Sequence, residues 1–359
     1  MTLARRQFLI AAAAAAATPQ IATGAYSDSH SWRMITSWPR DLPGPGVTAQ
    51  RLADRISTMS GGRLTVKLYA AGEIVPALEV FDAVGSDVAE LGHTASFFWQ
   101  GKAPASVFFT AIPFGLTAAE HAAWIYHGGG QQLWELLYAD FGLIPKMAGN
   151  TGMGMGGWFK QELHGIDSLK GLKYRIPGLG GEILRRLGAV PVTLAPGDIF
   201  SALQSGVIDG AEFVGPWSDT AFGFYKVAPY YYWPGFHEPN GNAECLINAR
   251  KFATLDEALQ AVVINACQAE NSFSLAETKW RNAQALETLA TKHRVKIRRF
   301  DDEILTAARD ISGDVLAEFA TKDDMSRKIH ASYRDARRRA IDWSRISTAA
   351  FLNARDTLI

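Results

Sequence analysis

Two hydrophobic periods alternate along the chain from about residue 30 onward. Residues 32–38, from Trp32 to Trp38, form an apolar segment, and the prolines and glycines of 39–46 then predict a loop. Leu52, Ile56 and Met59 fall at helical spacing within 47–60, and Gly61-Gly62 ends that helix. Residues 63–69 alternate with the two-residue period of a strand. A helix over 79–84 and a strand over 88–95 follow. This order predicts an α/β fold with mostly parallel strands.

Residues 118–138 form a long amphipathic stretch broken by Gly128-Gly129-Gly130. A glycine-rich stretch over 149–157 leads into Trp158-Phe159, so a second α/β domain is expected from near residue 150. Its elements are a strand over 172–176 ending at Pro177-Gly178, helices over 182–187 and 199–204 flanking a short strand, and a strand over 207–214 closed by Pro216. Aromatics concentrate over 222–233, where Tyr231 and Trp233 suit either core or domain interface, with a ligand role as the alternative. The turn Asn240-Gly241-Asn242 returns 243–248 to the first domain. Residues 255–293 read as helix, 295–300 as a strand, and a further helix starts near Asp301. Near the end, Ile329, Tyr333, Ala336, Ala340, Trp343 and Ile346 lie along one helical stripe, with Arg337-Arg338-Arg339 mostly on the solvated face. That stripe must cover either its own body or a partner.

The first residues carry Arg5-Arg6-Gln7-Phe8-Leu9, then Ile10 and an unbroken run from Ala11 to Ala17. A basic start, a short apolar run and small residues downstream describe an export signal. The run would span only ~15 Å as a helix, half of what a membrane crossing needs. The paired arginines resemble a twin-arginine signal, which delivers a folded protein across the inner membrane. Cleavage is expected between residues 22 and 25, leaving a soluble protein outside the cytoplasm; the competing reading is an alanine-rich helix packed on the domain.

A chain of 359 residues can bury a large core, and 48% hydrophobic with 20% charged residues is ordinary for a globular protein. Thirty-six basic residues balance 36 acidic ones, which argues against a broad nucleic-acid surface. Cys245 and Cys267 are too few for a cysteine-rich metal site, although they could form one disulfide. No HExxH zinc site, P-loop or GxSxG nucleophile is present. The glycines from Gly152 to Gly157 lack the strand–turn–helix context of a nucleotide loop, since Trp158-Phe159 follow at once. Among the histidines only His237, beside Glu238, stands out. Arg175 and Glu212 remain, each at the end of a probable strand, where open α/β sheets bind ligands. An arginine can hold a carboxylate through its planar fork. A nearby glutamate repels an anion unless a cation, proton or hydroxyl intervenes. The pair therefore describes metal-assisted recognition of a small acid, or a plain salt bridge.

Several ordered segments together resemble the periplasmic solute-binding component of a tripartite ATP-independent periplasmic (TRAP) transporter, in the DctP-like family. They are Gly149-Asn-Thr-Gly152, Met155-Gly-Gly-Trp-Phe159, Leu169-Lys-Gly-Leu-Lys-Tyr-Arg-Ile176, Gly197-Asp-Ile-Phe-Ser-Ala-Leu203 and Val207-Ile-Asp-Gly-Ala-Glu-Phe-Val-Gly-Pro-Trp217. The run from Gly223 to Gly235 and the tail from Ile329 to Ile346 extend the likeness over essentially the whole mature chain. It is most similar to the branch that binds 2-oxo acids and related monocarboxylates. The resemblance implies two lobes, interlobe helices and a long C-terminal helix. Its division is an export signal over 1–25, a first lobe over 30–149, a second over 150–238, a return with interlobe helices over 239–320, and a packing or dimerisation helix over 321–359.

It further implies Arg175 as the carboxylate clamp, Asn150 as a polar contact, and Trp217 and Phe236 as apolar walls. Na⁺ or Ca²⁺ would be held by the Glu212 carboxylate, the Phe213 carbonyl and Glu238, with Glu238 contacting either cation or pocket. No nucleotide is implied. The branch has a glutamine, whose amide oxygen helps hold the cation, where this chain has Gly154, and tryptophans where it has Phe213 and Phe236. Either a main-chain carbonyl, water or extra ligand oxygen compensates, or the pocket holds no metal and takes a different or bulkier acid. The expected function is capture of a 2-oxo or 2-hydroxy monocarboxylate for ion-gradient-driven uptake through TRAP membrane permease subunits, without catalysis. A homodimer through the C-terminal helix fits the same family. The alternatives are an exported metal-assisted enzyme and a sensory binding protein serving a membrane receptor.

Overall fold

The apolar start of the mature chain becomes a strand, β1 (His30–Thr36), because Trp32, Met34 and Ile35 are buried while Ser31 and Arg33 face outward. The computed structural model describes residues 29–357; the expected export signal lies outside them. Proline at the first turn starts α1 (Pro45–Met59). It buries Ala49, Leu52, Ala53 and Ile56 and leaves Met59 exposed, so the buried stripe drifts from the one expected. Then come β2 (Leu64–Tyr69), α2 (Val80–Gly85) and β3 (Leu91–Thr94). The amphipathic stretch splits at its glycines into α3 (Ala118–His127) and α4 (Gly130–Tyr138), and Gly129 takes a left-handed φ of 84° between them. Thr117 and Glu120 cap α3 reciprocally. Strand β4 (Leu143–Asn150) completes the first pass.

The second lobe begins with β5 (Gly157–Phe159) and β6 (Lys173–Arg175). It continues through α5 (Gly178–Arg186), β7 (Val190–Val192), α6 (Ile199–Ser205), β8 (Gly210–Ala211), α7 (Pro216–Phe222) and β9 (Tyr230–Trp233). The chain then returns as β10 (Asn242–Asn248), α8 (Ala249–Phe252) and α9 (Glu257–Thr291). Strand β11 (Lys296–Arg299) precedes α10 (Asp302–Phe319), α11 (Asp324–Ile346) and α12 (Thr348–Asp356).

Two sheets result, ordered β2-β1-β3-β10-β4 and β11-β9-β5-β8-β6-β7. They are mixed rather than mostly parallel: β10 runs antiparallel to β3 and β4, and β5 antiparallel to β8 and β9. The reason is the double crossing between lobes, since β4 leads directly to β5 and β9 back to β10 without a crossover helix. The two crossing segments are bonded to each other, Thr151 N–H to Gly241 O at 2.9 Å and Gly154 N–H to Glu238 O at 2.9 Å. The strand expected over 207–214 shrinks to Gly210–Ala211 because the following backbone turns away from the ladder. Strand β11 comes from a stretch expected in the first lobe or between lobes, yet it edges the second sheet beside β9.

Helix α9, ~52 Å long at the helical rise, packs on α1 and β4 of one lobe and α7 of the other. Its start is capped by the Asp256 carboxylate, which accepts from Leu259 N–H. The C-terminal stripe divides. Ile329 and Tyr333 are buried on the chain's own body, and the Tyr333 hydroxyl accepts from Leu116 N–H at 2.8 Å. Trp343 and Ile346 are 67% and 72% exposed. Cys245 and Cys267 are buried free thiols. Among the described residues no helix is long and apolar enough to cross a membrane.

The first sheet also buries a carboxyl. Glu244 on β10 accepts from Trp99 Nε1 at 2.7 Å and Tyr138 Oη at 3.2 Å. Burial pushes its pKa up to about 8 despite these donors. Unfolded, a glutamate titrates near ~4.3, so the folded protein binds more protons between those values. Stability should therefore fall as pH rises from about 4.3 to about 8, by at most ~1.4 kcal/mol per pH unit. Urea unfolding across this range should show the slope in the wild type and a flatter profile in Glu244→Gln; equal slopes would refute the assignment.

Candidate functional site

Short parallel pairing brings the two expected charges together. Strand β6 lies between β7 and β8, with Arg175 opposite Val192 on one side and Ala211 on the other. Glu212 follows Ala211 directly, and its N–H donates to Arg175 O at 3.1 Å. Both side chains end up beneath the cleft, 2% and 1% exposed.

Arg175 Nη1 donates to Glu212 Oε1 at 2.8 Å and to Glu212 O at 2.8 Å. Its Nε and Nη2 both reach Leu194 O at 3.3 Å. Of five guanidinium N–H groups these contacts engage four, which leaves one Nη2 hydrogen for a ligand. The other Glu212 oxygen, Oε2, is 3.3 Å from His237 Nε2. His237 thus joins the site through Glu212, whereas its neighbour Glu238 lines the pocket itself.

Glu238 is 8% exposed, and no described side chain or backbone group hydrogen-bonds its carboxylate. Burial, reinforced by the Glu212 charge and opposed by Arg175, holds its pKa well above the usual carboxylate range. A buried acid without a donor is costly unless a cation, proton or ligand donor meets it. Asn150, at the end of β4, also lines the pocket. Its Oδ1 accepts from Gly152 N–H and its Nδ2 donates to Asn240 Oδ1, both at 2.8 Å. Asn240 in turn donates to Thr110 O at 2.8 Å, so a buried amide relay fixes how Asn150 points.

The pocket lies between the lobes, lined by residues of both. Its apolar walls are not those expected. Phe236 stacks on Phe114 with ring centroids 5.2 Å apart and meets Phe300 edge-on, which holds it in the packing beside the pocket. Trp217 sits in the first turn of α7 against α9, its N–H donating to Asn282 Oδ1 at 2.9 Å. Tyr231 stacks on Trp158 at 3.9 Å, and Trp233 is exposed. The walls come instead from Trp38, Phe97, Phe98 and Phe213. Trp38, Phe97 and Phe98 were not singled out because they belong to the first lobe, far along the chain from Arg175 and Glu212. The only sequence signal near them was the Pro/Gly-rich loop after Trp38.

Among the described residues no three His, Cys, Asp or Glu side chains converge as a metal cage. The fit to a hard cation is nevertheless partial and specific, because the partnerless Glu238 carboxylate, the Glu212 carboxylate and the Phe213 carbonyl are all oxygen donors. A Cβ at Gly154 would sit 3.2 Å from Val214 O and 3.5 Å from Glu238 Cβ. Residue 154 therefore borders this donor set while contributing no side-chain oxygen to it.

Residues 39–323 match the DctP family, described as bacterial extracellular solute-binding protein, family 7. A monocarboxylate 2-oxoacid-binding periplasmic protein from Nostoc sp. is 38% identical over 97% of this chain and 98% of its own length. A TRAP periplasmic solute-binding protein from Pseudoalteromonas atlantica, solved with sodium and pyruvate, superposes with TM-score 0.88 at 36% identity, covering 91% of this chain and 99% of that one. One from Bordetella bronchiseptica, a dimer solved with calcium and picolinate, gives 0.90 at 34% identity, covering 92% and 98%. With its two lobes, crossing helices and matched length, this chain belongs to the DctP family and is a periplasmic solute-binding protein of a TRAP transporter, a capturing subunit rather than an enzyme.

Proposed function

We propose that this chain captures a small monocarboxylate bearing an oxygen at C2, a 2-oxo or 2-hydroxy acid, and delivers it to TRAP permease subunits for ion-gradient-driven uptake. The observation that carries this reading is the buried Arg175, with one N–H left over, lining the interlobe pocket together with the buried Glu238 and paired behind it with the buried Glu212. The free Nη2 hydrogen and the guanidinium charge receive the ligand carboxylate. Glu212, Glu238 and the Phe213 carbonyl then present oxygens toward the C2 side. Na⁺ or Ca²⁺ would be held by these three groups, supplying positive charge between the glutamates and the ligand oxygen. The sodium with pyruvate in one solved relative supports that choice of cation and acid class, and the calcium with picolinate in the other, whose ring nitrogen takes the place of the C2 oxygen, supports the choice of cation. Asn150, held by Asn240, offers an amide at the first-lobe wall.

The lobes meet at the mouth of the pocket through Ser218 Oγ, which donates to Pro43 O at 2.8 Å. Gly44 lies in the same contact: its φ is 84°, and a Cβ there would stand 2.7 Å from Ser218 Oγ, too close without a shift of the contact. Closure at this point excludes water and strengthens every polar contact inside. A homodimer would form through the exposed half of α11 and α12, where Trp343, Ile346 and Phe351 lack cover within the chain. The twin-arginine start would bring the protein folded to the periplasm.

A thermal-shift panel of small carboxylates, with native mass spectrometry to detect any bound acid, tests the reading. Pyruvate or lactate should raise the melting temperature only with Na⁺ or Ca²⁺ present. A cation-independent response to bulkier acids would sink the metal part and keep the capture. Arg175→Ala leaves Glu212 buried without its guanidinium and should cost about 3–5 kcal/mol of stability as well as acid binding, measured by urea unfolding and calorimetry; wild-type stability would contradict the buried pair. Gly44→Ala should weaken acid binding and enlarge the acid-bound radius of gyration in small-angle scattering, and an unchanged affinity would remove the mouth contact from the closing step.

A further inference from the structure

One buried carboxylate outside the pocket ties together the backbone that builds it. Asp219, in the first turn of α7, is 1% exposed. Its Oδ1 accepts from Val214 N–H at 3.3 Å and Gly215 N–H at 3.2 Å. Its Oδ2 accepts from Trp158 Nε1 at 2.9 Å and from the Tyr231 hydroxyl at 2.7 Å. Trp158 and Tyr231 face each other across the β5–β9 pair and stack at 3.9 Å. Three segments therefore converge on this carboxylate: the turn after Glu212, the strand entered through Gly154, and the strand that leads on to His237 and Glu238.

The peptide bond between Phe213 and Val214 is trans. In a planar trans peptide the C=O and the following N–H point in opposite directions. Holding Val214 N–H on Asp219 therefore turns the Phe213 carbonyl away from α7. No described group donates to that carbonyl, and Phe213 and Val214 both line the pocket.

We propose that Asp219 is a positioning residue for ligand recognition: by holding the Val214 and Gly215 N–H groups it aims the Phe213 carbonyl at the C2 oxygen side of the bound acid. This deepens the capture reading and rests on it. Asp219 touches neither the ligand nor the other pocket oxygens, and the stack of Trp158 on Tyr231 fixes its own orientation.

The test compares affinities for pyruvate and propionate, which share a carboxylate and differ in the C2 oxygen, by calorimetry with calcium present. The wild type should prefer pyruvate. In Asp219→Asn, pyruvate affinity should fall about tenfold or more while propionate changes little. A role in folding alone would instead weaken both acids together, or neither. A folded Asp219→Asn protein with the wild-type affinity ratio overturns the proposal and leaves the capture reading standing. A wild type that binds no C2-oxygenated acid overturns the capture reading, and the proposal with it. If Asp219→Asn does not fold, Tyr231→Phe keeps the carboxylate and removes one donor from Oδ2. It should speed amide hydrogen exchange at Val214 and Gly215 and reduce the pyruvate preference about threefold; unchanged exchange and preference overturn the proposal.

Discussion

The buried pairing of Arg175 with Glu212 is the constraint around which the interlobe pocket is arranged. Two full charges are held out of water at 2.8 Å, and an arrangement of that kind is tolerated only when nearly every remaining donor and acceptor is also met. That requirement explains the surrounding backbone. Leu194 O and Glu212 O take up guanidinium hydrogens, and His237 stands at the second oxygen of Glu212. The deliberate exceptions are the spare Nη2 hydrogen and Glu238. They lie where the ligand is proposed to bind, so what the protein leaves unsatisfied is what the proposed ligand and cation would supply.

This arrangement needs two lobes and a defined path between them. Chain segments cross at 151–156 and 234–241 and are hydrogen-bonded to each other. Asn150, Gly154 and Glu238 stand on or beside those crossings, so residues that border the pocket are also where the chain passes between the lobes. Helix α9 braces both lobes along its length. Arg51 and Arg55 of α1 fasten to Glu270 of that helix, which is fully buried. Capture and closure are thereby properties of one connected unit.

Much of the candidate site was legible because its chemistry is local. Arg175 and Glu212 stood out as charges at strand ends, and Asn150 and Glu238 stood out once the ordered segments resembled the family. The walls were misread for an equally physical reason. Phe236 and Trp217 are near the charges in sequence, but stacking on Phe114 and packing against α9 draw their rings out of the pocket. Trp38, Phe97 and Phe98 lie far away in sequence, and only the meeting of lobes places them opposite Phe213. Asp219 carried no sequence signal, since a single aspartate after a proline reads as an ordinary helix start.

The chain's periodicity, glycine punctuation and ordered motifs by themselves determined an exported two-lobed α/β protein with a candidate acid-binding arginine, because helical and strand periods and motif spacing are local properties of sequence. Tertiary structure alone decided that both sheets are mixed and that β11 joins the second. It also decided which aromatics line the pocket, and that half of the C-terminal stripe covers the chain's own body. These outcomes depend on which distant surfaces meet, and the meeting is selected by burial and hydrogen-bond satisfaction summed over the whole fold. No window of neighbouring residues contains that sum.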